Sequence, residues 1–139
     1  MENLNFSLEK ANALNKGTLM GHLNIEYTEL HKGKVVAKMP VNETTLQPDG
    51  IVHGGANLAL AETVAGLGSA LIVDLKKTAV RGAQVSANHV GSTGKGTVIA
   101  TATIIHEGAY THVWNVNIKD KNDKLLSTCR ITNVIVKRQ

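Results

Sequence analysis

The sequence of 139 residues is poor in cysteine, proline and aromatic side chains. Its one cysteine, Cys129, can form no disulfide within the chain and cannot supply a cysteine pair for a metal. Aromatic residues make up 3% of the chain, and apart from two tyrosines they are Phe6 and Trp114, so the core must be aliphatic. No repeat or low-complexity segment is evident. The length and the 42% hydrophobic content predict a single domain over residues 1–139.

Several local motifs are also missing. The six histidines show no His-x-x-x-His spacing, no glycine-rich phosphate loop follows a predicted strand, and no Gly-x-Ser-x-Gly elbow occurs. We therefore expect neither a metal centre nor a resident cofactor. The segment Gly91–Gly96 is small and polar enough to cradle phosphates, but a flexible hairpin turn is the simpler interpretation.

The net charge of +4 and the pI near 9.3 allow nucleic acid, an anionic membrane or a phosphate-bearing ligand as partner. The basic residues are scattered, and no basic stripe with stacking aromatics occurs, so we expect no nucleic-acid binding. A small polyanionic ligand fits this diffuse charge better. The first residues, MENLNFSLEKAN, do not have the pattern of a secretory signal, and we expect a cytoplasmic protein without membrane association.

The pattern along the chain predicts one helix-rich start, one long helix and many strands. We expect an N-terminal helical segment within residues 1–20, with a helix from Ser7 to Leu14 that Gly17 ends, and a loop from Asn42 to Gly50. Six runs are strand-like, namely Leu23–Leu30, Val35–Val41, Ala79–His89, Thr97–His106, Thr111–Lys119 and Leu125–Val136. The breaks at His31–Gly33, Gly94–Gly96, Glu107–Ala109 and Asp120–Lys124 are each predicted to be hairpin turns.

Glu62 is the one charged residue in the apolar run Gly54–Val73, which we predict to be a helix of 18 to 20 residues. The run is long enough to span a bilayer, but its four glycines and polar residues argue for a helix buried in protein. A carboxylate loses hydration there, so we expect a buried Glu62 that is paired, protonated or wetted by a cavity. We favour a reactive group; a structural carboxylate paired with His89 or Asn57 is the alternative.

A helix that is hydrophobic on nearly all sides has to be covered all round. A curved antiparallel sheet of five or six strands could cover one side, and a second subunit could cover the other. Small residues would let two such helices approach closely, and they are Gly54, Gly55, Ala56, Ala59, Gly66 and Gly68. We therefore predict an α+β domain with a long central helix wrapped by the sheet, which dimerises.

The start of this helix is the second candidate cluster. Gly54 and Gly55 can present free backbone N–H groups and the positive end of the helix dipole to a developing oxyanion, although helix packing is an equally good reason for glycines here. His53 and Glu62 are about 13 Å apart along one helix and on opposite faces, so they cannot share a substrate within one chain. Two antiparallel helices at a dimer interface could bring them together. Gln47 could donate from its amide or simply be solvated.

Several ordered motifs resemble those of hotdog-fold acyl-CoA thioesterases. The resemblance runs from about Gly21 to Val136 and rests on Gln47-Pro48, His53-Gly54-Gly55-Ala56, Leu60-Ala61-Glu62-Thr63, Ala87-Asn88-His89-Val90 and His112-Val113-Trp114. It looks closest to the bacterial group that includes 1,4-dihydroxy-2-naphthoyl-CoA thioesterases and the enterobactin proofreading thioesterase. This implies the hotdog fold, assembly into dimers and commonly tetramers, and no cofactor, because CoA is part of the substrate.

The resemblance also implies roles for particular residues. Glu62 corresponds to the catalytic carboxylate, acting as general base or nucleophile. The amide of Gly54 would polarise the thioester carbonyl across the subunit boundary, with Gln47 assisting and His53 near the leaving thiolate. The implied contacts with the acyl-CoA are Gly55, Gly82, His89, Val90, Gly91, Ser92, His106, Glu107, Gly108, Ala109, Tyr110 and Thr111.

Two positions depart from the pattern. Many relatives carry Ser or Thr where this chain has Gly66, and some carry a basic residue where it has Gly91, so that a phosphate contact would move to Lys95 or be lost. We expect hydrolysis of an acyl-CoA with an aromatic or medium-sized acyl group, and a carrier-protein thioester is also conceivable as substrate. The rival hypotheses are a hotdog dehydratase or hydratase and a non-catalytic acyl-CoA-binding protein.

Overall fold

A six-stranded antiparallel sheet packs one face against a long helix. The computed structural model describes residues 6–139, and its helices are α1 (Leu8–Ala13), α2 (Leu19–His22) and α3 (Gly54–Ala70). Its strands are β1 (Glu26–His31), β2 (Lys34–Pro40), β3 (Thr78–His89), β4 (Thr97–Glu107), β5 (Thr111–Lys119) and β6 (Leu125–Lys137). They lie in the order β1-β2-β4-β5-β6-β3, and every neighbouring pair is antiparallel. The predicted α+β class, the long helix and the six-stranded sheet are confirmed.

The core lies between α3 and one face of the sheet. In β5 every second residue is buried, as expected of a strand with one face turned inward, and Trp114 is fully buried there. One face of α3 meets this layer, and its buried residues are Ala56, Asn57, Leu60, Ala61, Val64, Ala65, Gly68 and Ser69. Gly68 has to be small, because an added Cβ would overlap the indole of Trp114.

The predicted role of the small helix residues is therefore wrong in part. Ala56 and Gly68 face the protein's own sheet and are buried there, so they cannot form a contact between two helices. Gly55, Ala59 and Gly66 lie on the opposite, open side of α3. Small residues alone do not reveal which side of a helix they serve.

The helix is shorter than predicted. It has 17 residues and ends at Ala70, where Leu71 serves as C-cap and its N–H is directed at the carbonyls of Leu67 and Ser69. Leu71 and Ile72 are still buried after the chain has left the helix. The apolar run therefore continues past the helical end, and hydrophobicity could not mark that end.

The connection at Gly94–Gly96 is not the hairpin turn that the sequence predicted. Strands β3 and β4 are separated in the sheet by β5 and β6. Residues 90–96 must therefore run past these two strands to connect β3 with β4. This crossing is hydrogen-bonded along its way, from the N–H of Val90 and Gly91 to Leu126 O and from Val52 N–H to Thr93 O. The other three predicted hairpins connect paired strands.

The N-terminal helical segment is fixed to the sheet. The side chain of Asn12 exchanges two hydrogen bonds with the backbone of Tyr27, at 2.8 and 3.1 Å, as a neighbouring strand would. The predicted helix is present as α1, with Ser7 as its N-cap at 3.1 Å from Lys10 N. A second short helix, α2, was not predicted. Residues 1–5 of the predicted segment lie outside the described part of the chain.

Candidate active site

The side of α3 that faces away from the sheet lines an open cavity of about 780 Å³. The two N-terminal helices form one wall and β3 forms another. The cavity is mainly apolar, with Leu14, Leu19, Leu58, Leu67, Val80 and Val85 among its lining residues. Its size lies within the range of 300–1,000 Å³ that is usual for small-molecule sites.

Glu62 projects into this cavity, but it is exposed rather than buried. The predicted burial is wrong for the single chain because the sheet covers one face of α3 and Glu62 lies on the other. The carboxylate makes no hydrogen bond or ion pair with any residue from 6 to 139. The alternative in which Glu62 is a structural carboxylate paired with His89 or Asn57 is therefore also wrong, since both of those side chains bind Ser127 instead.

Gly82 lies directly against the Glu62 carboxylate. A Cβ added to Gly82 would be 2.5 Å from Glu62 Oε2. Two cations line the same cavity: Arg81 donates from Nη1 to Val80 O at 3.0 Å, and Arg138 donates from Nε to Leu75 O at 2.7 Å. The cavity thus combines an apolar wall, one unpartnered carboxylate and two guanidinium groups.

The start of α3 has one free donor. Nδ1 of His53 accepts a hydrogen bond from Gly55 N–H at 2.8 Å and caps the helix, so the proton of the neutral ring lies on Nε2. Gly55 N–H is therefore occupied. Gly54 N–H has no acceptor within the described chain, and it points out of the helix end with the positive pole of the helix dipole.

Gln47 lies in a closed loop next to His53. A bridge between Leu46 and Val52 closes the loop, and His53 N–H donates to Thr45 O at 2.7 Å. Gln47 Oε1 accepts a hydrogen bond from the backbone N–H of Asp49. The carboxamide oxygen is thereby fixed, and its NH₂ group remains available as a donor. The loop holds Gln47 at the end of α3 at which Gly54 lies.

His89 packs over Gly54, held by a residue that sequence analysis did not single out. Its Nε2 is 2.7 Å from the position of an added Cβ on Gly54. Its Nδ1 shares a hydrogen bond of 2.6 Å with Ser127 Oγ, and Asn57 Nδ2 donates to the same oxygen at 3.3 Å. Ser127 is fully buried on β6, and nothing in the sequence around it marks this role.

A second buried network fixes the other half of the helix. Ser69 Oγ accepts hydrogen bonds from Trp114 Nε1 at 2.9 Å and from Asn133 Nδ2 at 3.0 Å. Its hydroxyl hydrogen is then directed to His112 Nδ1, at 2.9 Å, which makes His112 a neutral ring. Desolvation by burial lowers the pKa of His112 below its usual 6.5; Glu107 acts in the opposite direction, and His106 lowers the pKa further.

The implied CoA contacts fall into two groups within one chain. His89 pairs with Ser127, and Thr111 pairs with Val134, so the groups 89–92 and 106–111 flank β6 at positions seven residues apart. That separation is about 23 Å along a strand. The first group lies near Gly54 and the second nearer to Gly82 and Glu62. The structure therefore brings together Gly54 with His89 and Glu62 with Gly82, but it does not unite these two pairs in one chain.

Lys124 approaches Gly91, the position at which some relatives carry a basic residue and this chain does not. Its Nζ donates to Ser92 O at 3.4 Å, and its Cε is 3.2 Å from the position of an added Cβ on Gly91. A larger residue at position 91 would first meet the backbone carbonyl oxygen of Leu125, at 2.7 Å from the added Cβ, and then this lysine. The sequence alone favoured Lys95, because the position of the β5–β6 turn beside the crossing segment depends on strand pairing between distant parts of the chain.

Over residues 6–139, no group of three or more His, Cys, Asp or Glu side chains is arranged to hold a metal ion. None of the three helices has the length and apolar character needed to cross a membrane.

Comparisons with known proteins define the class. A profile of the thioesterase superfamily matches residues 49–127, more than half of the chain. A 1,4-dihydroxy-2-naphthoyl-CoA hydrolase of Listeria monocytogenes is 38% identical over 117 residues, which cover 84% of this chain and 94% of that protein. The Escherichia coli hydrolase of the same name is 33% identical over 130 residues, 94% of this chain and 95% of that one.

A crystal structure of a mutant thioesterase from Pseudomonas aeruginosa superposes with a TM-score of 0.94 at 34% identity, covering 96% of both chains. The chain therefore belongs to the thioesterase superfamily and has the hotdog fold. It is a thioester hydrolase, as the resemblance implied.

Proposed function

We propose that this thioester hydrolase cleaves acyl-CoA thioesters with an aromatic or medium-sized acyl group, releasing the free acid and CoA. The apolar cavity of about 780 Å³ suits such a group. The guanidinium groups of Arg81 and Arg138 and the net charge of +4 suit an anionic substrate. Two relatives named as hydrolases of 1,4-dihydroxy-2-naphthoyl-CoA support an aromatic acyl group.

The unpartnered carboxylate of Glu62 in the cavity wall is the observation that carries this proposal. As a general base, Glu62 takes a proton from water while the water oxygen attacks the thioester carbonyl. As a nucleophile, it attacks the carbonyl itself and forms an anhydride that water then hydrolyses. In both routes the C–S bond breaks, and the thiolate leaves and is protonated.

The developing oxyanion needs a hydrogen-bond donor close to Glu62, and the Gly54 N–H of the same chain is too far away to be that donor. Gly54 precedes Glu62 by eight residues, about 12 Å along the helix axis. We assign the oxyanion contact to the free N–H of Gly54 from a second copy of the chain, lying antiparallel to the first. Gln47 of that copy offers its NH₂ group to the same carbonyl oxygen, and the Nε2–H of its His53 serves the leaving thiolate.

The assembly follows from this geometry. β3 is an edge strand of 12 residues whose free edge can pair with another strand, and the open face of α3 lies beside it. We propose a homodimer with two equivalent sites, and a tetramer made of two such dimers. In the assembly the groups 89–92 and 106–111 from different chains would contact the CoA portion. Sedimentation is expected to give no stable monomer at micromolar concentration.

A panel of thioesters tests the function. Release of free thiol is followed for benzoyl-, phenylacetyl-, dihydroxynaphthoyl- and aliphatic acyl-CoA and for an aryl carrier-protein thioester. Glu62→Gln is expected to lower turnover by a factor of about 1,000 or more and to leave the assembly intact. The matched control is Glu26→Gln, which removes a surface carboxylate paired with Lys38 at 3.2 Å.

Near-normal hydrolysis by Glu62→Gln would contradict the role of Glu62. Loss of enoyl absorbance without thiol release would indicate a hydratase, and binding without any turnover would indicate a non-catalytic protein. Single turnover in H₂¹⁸O tests for the anhydride. Label in Glu62 would demonstrate an anhydride that water opens at the glutamyl carbonyl, a result that general-base catalysis cannot give, because that route places the label only in the product acid.

A further inference from the structure

Gly82 on β3 faces the carboxylate of Glu62 across the gap between the sheet edge and α3. We propose that Gly82 is a positioning residue for Glu62: the missing side chain at residue 82 leaves the space that holds the carboxylate in its reactive place. This inference rests on the proposed role of Glu62 and adds a residue that acts through it.

The distances define the space. A Cβ built on Gly82 would lie 2.5 Å from Oε2, 3.3 Å from Cδ and 3.7 Å from Cγ of Glu62. Favourable contacts between non-bonded heavy atoms begin at about 3.5 Å. A methyl group at residue 82 and the carboxylate therefore cannot occupy their places together, and the carboxylate would have to move by about 1 Å.

The strand cannot easily retreat to make room. Gly82 pairs with Asn133 on β6, and the buried amide of Asn133 donates to Ala65 O at 3.1 Å and to Ser69 Oγ at 3.0 Å. These two bonds tie β6, and through it β3, to the helix close to Glu62. The carboxylate is the movable part of this contact, since no hydrogen bond or ion pair within residues 6–139 holds it.

The backbone gives no other reason for glycine at this position. Gly82 does not have a positive φ angle, so an alanine could adopt the same conformation. The strand is irregular here, with a register shift between Gly82 and Gln84, but such a bulge does not by itself demand glycine in this conformation. Within one chain, the contact with Glu62 is the one that an added methyl group would change.

Catalysis depends steeply on such a displacement. A shift of about 1 Å in a reacting group can cost about 100-fold in rate. Aspartate carries the same charge on a side chain that is one methylene shorter. Its carboxyl carbon would take the place of Glu62 Cγ, 3.7 Å from the added Cβ, so its oxygens would avoid the overlap that Oε2 of the glutamate makes. Comparing Gly82→Ala with glutamate or with aspartate at position 62 therefore distinguishes displacement of the carboxylate from a general effect of the substitution on the enzyme.

The test compares wild type, Gly82→Ala, Glu62→Asp and the double variant. In the glutamate background Gly82→Ala is expected to lower kcat about 10- to 100-fold without changing the urea midpoint or the sedimentation coefficient. In the aspartate background the same substitution is expected to cost about threefold or less. Equal losses in both backgrounds, or an unchanged kcat in Gly82→Ala, would overturn the proposal.

The failure of this inference can be told apart from the failure of the proposed function. Glu62→Gln, assayed in parallel, reports on the function alone. If Glu62→Gln stays active or Glu62→Asp is too slow to measure, a crystal structure of Gly82→Ala decides. A carboxylate displaced by about 1 Å supports the positioning role, and an unmoved carboxylate contradicts it.

Discussion

The imidazole of His89 packs against the backbone of Gly54, with Nε2 2.7 Å from the point that a Cβ on residue 54 would occupy. Ser127 holds the ring from its other side through Nδ1 at 2.6 Å. Where Ser127 donates this bond, the ring proton lies on Nε2 and faces Gly54. A backbone N–H and an imidazole then lie side by side at the start of α3, which is where the proposed function needs hydrogen-bond donors.

Comparing Gly54→Pro with Gly54→Ala distinguishes the loss of the Gly54 N–H from the effect of adding side-chain atoms at this position. Both add a Cβ that displaces His89, but only proline removes the N–H, and proline is tolerated at the first position of a helix. His53 already has an extended backbone with ψ 132, as a residue before proline requires. We expect kcat to be about 100-fold lower in Gly54→Pro than in Gly54→Ala. Equal turnover in the two variants would exclude Gly54 N–H as the oxyanion donor.

Lys124 is expected to bind the phosphates of the substrate. It reaches over Gly91 to Ser92 at the crossing segment, with an exposed side chain. Lys124→Ala should raise KM for acyl-CoA about threefold to tenfold with little change in kcat, and the difference should shrink at high salt. Lys121→Ala, in the same turn, is the matched control. A KM unchanged by Lys124→Ala at low salt would refute this assignment.

Alanine substitutions at two glycines of α3 are expected to change the stability in opposite directions. An added Cβ on Gly68 meets the Trp114 indole, whereas one on Gly66 meets nothing within 4 Å. Gly68→Ala should lower the free energy of unfolding by about 1–3 kcal/mol through overpacking. Gly66→Ala should raise it by about 0.5–1 kcal/mol through helix propensity. Urea titration measures both, and a Gly68→Ala protein as stable as wild type would show that the helix can move away from the sheet.

His112 should make the protein less stable in acid. Burial lowers the pKa of His112 in the folded state below the value of 6.5 in the unfolded chain. As the pH falls below 6.5, the unfolded state binds a proton that the folded state does not, so the free energy of unfolding decreases. His112→Asn keeps an acceptor for Ser69 and removes the titration. Urea midpoints at pH 7.5 and 5.5 should differ less in this variant; an unchanged difference would refute the role of His112.

The fold could be predicted from the sequence because its strands follow local patterns. The alternation in Thr111–Lys119 and the turn residues between strands depend on neighbours along the chain. The path of residues 90–96 could not be predicted in this way. It depends on β3 pairing with β6, a contact between distant parts of the sequence.

The site could be predicted in its residue types but not in its contacts. Glu62 stood out by its charge in an apolar run, yet its exposure depends on which helix face the sheet covers. Ser127 and Lys124 carry no local signal, because their roles come from His89 and Gly91, which lie more than 30 residues away along the chain. Tertiary contacts of this kind require the folded structure.

Complementation between two inactive variants tests the central claim most directly. Glu62→Gln and Gly54→Pro chains, each expected to be nearly inactive alone, are unfolded together, refolded as a mixture and assayed for thiol release. If each site combines Glu62 of one chain with Gly54 of another, random pairing restores about a quarter of wild-type activity per subunit, since half of the dimers carry one intact site in two. No activity in a mixture shown by mass spectrometry to contain mixed dimers would contradict the shared site.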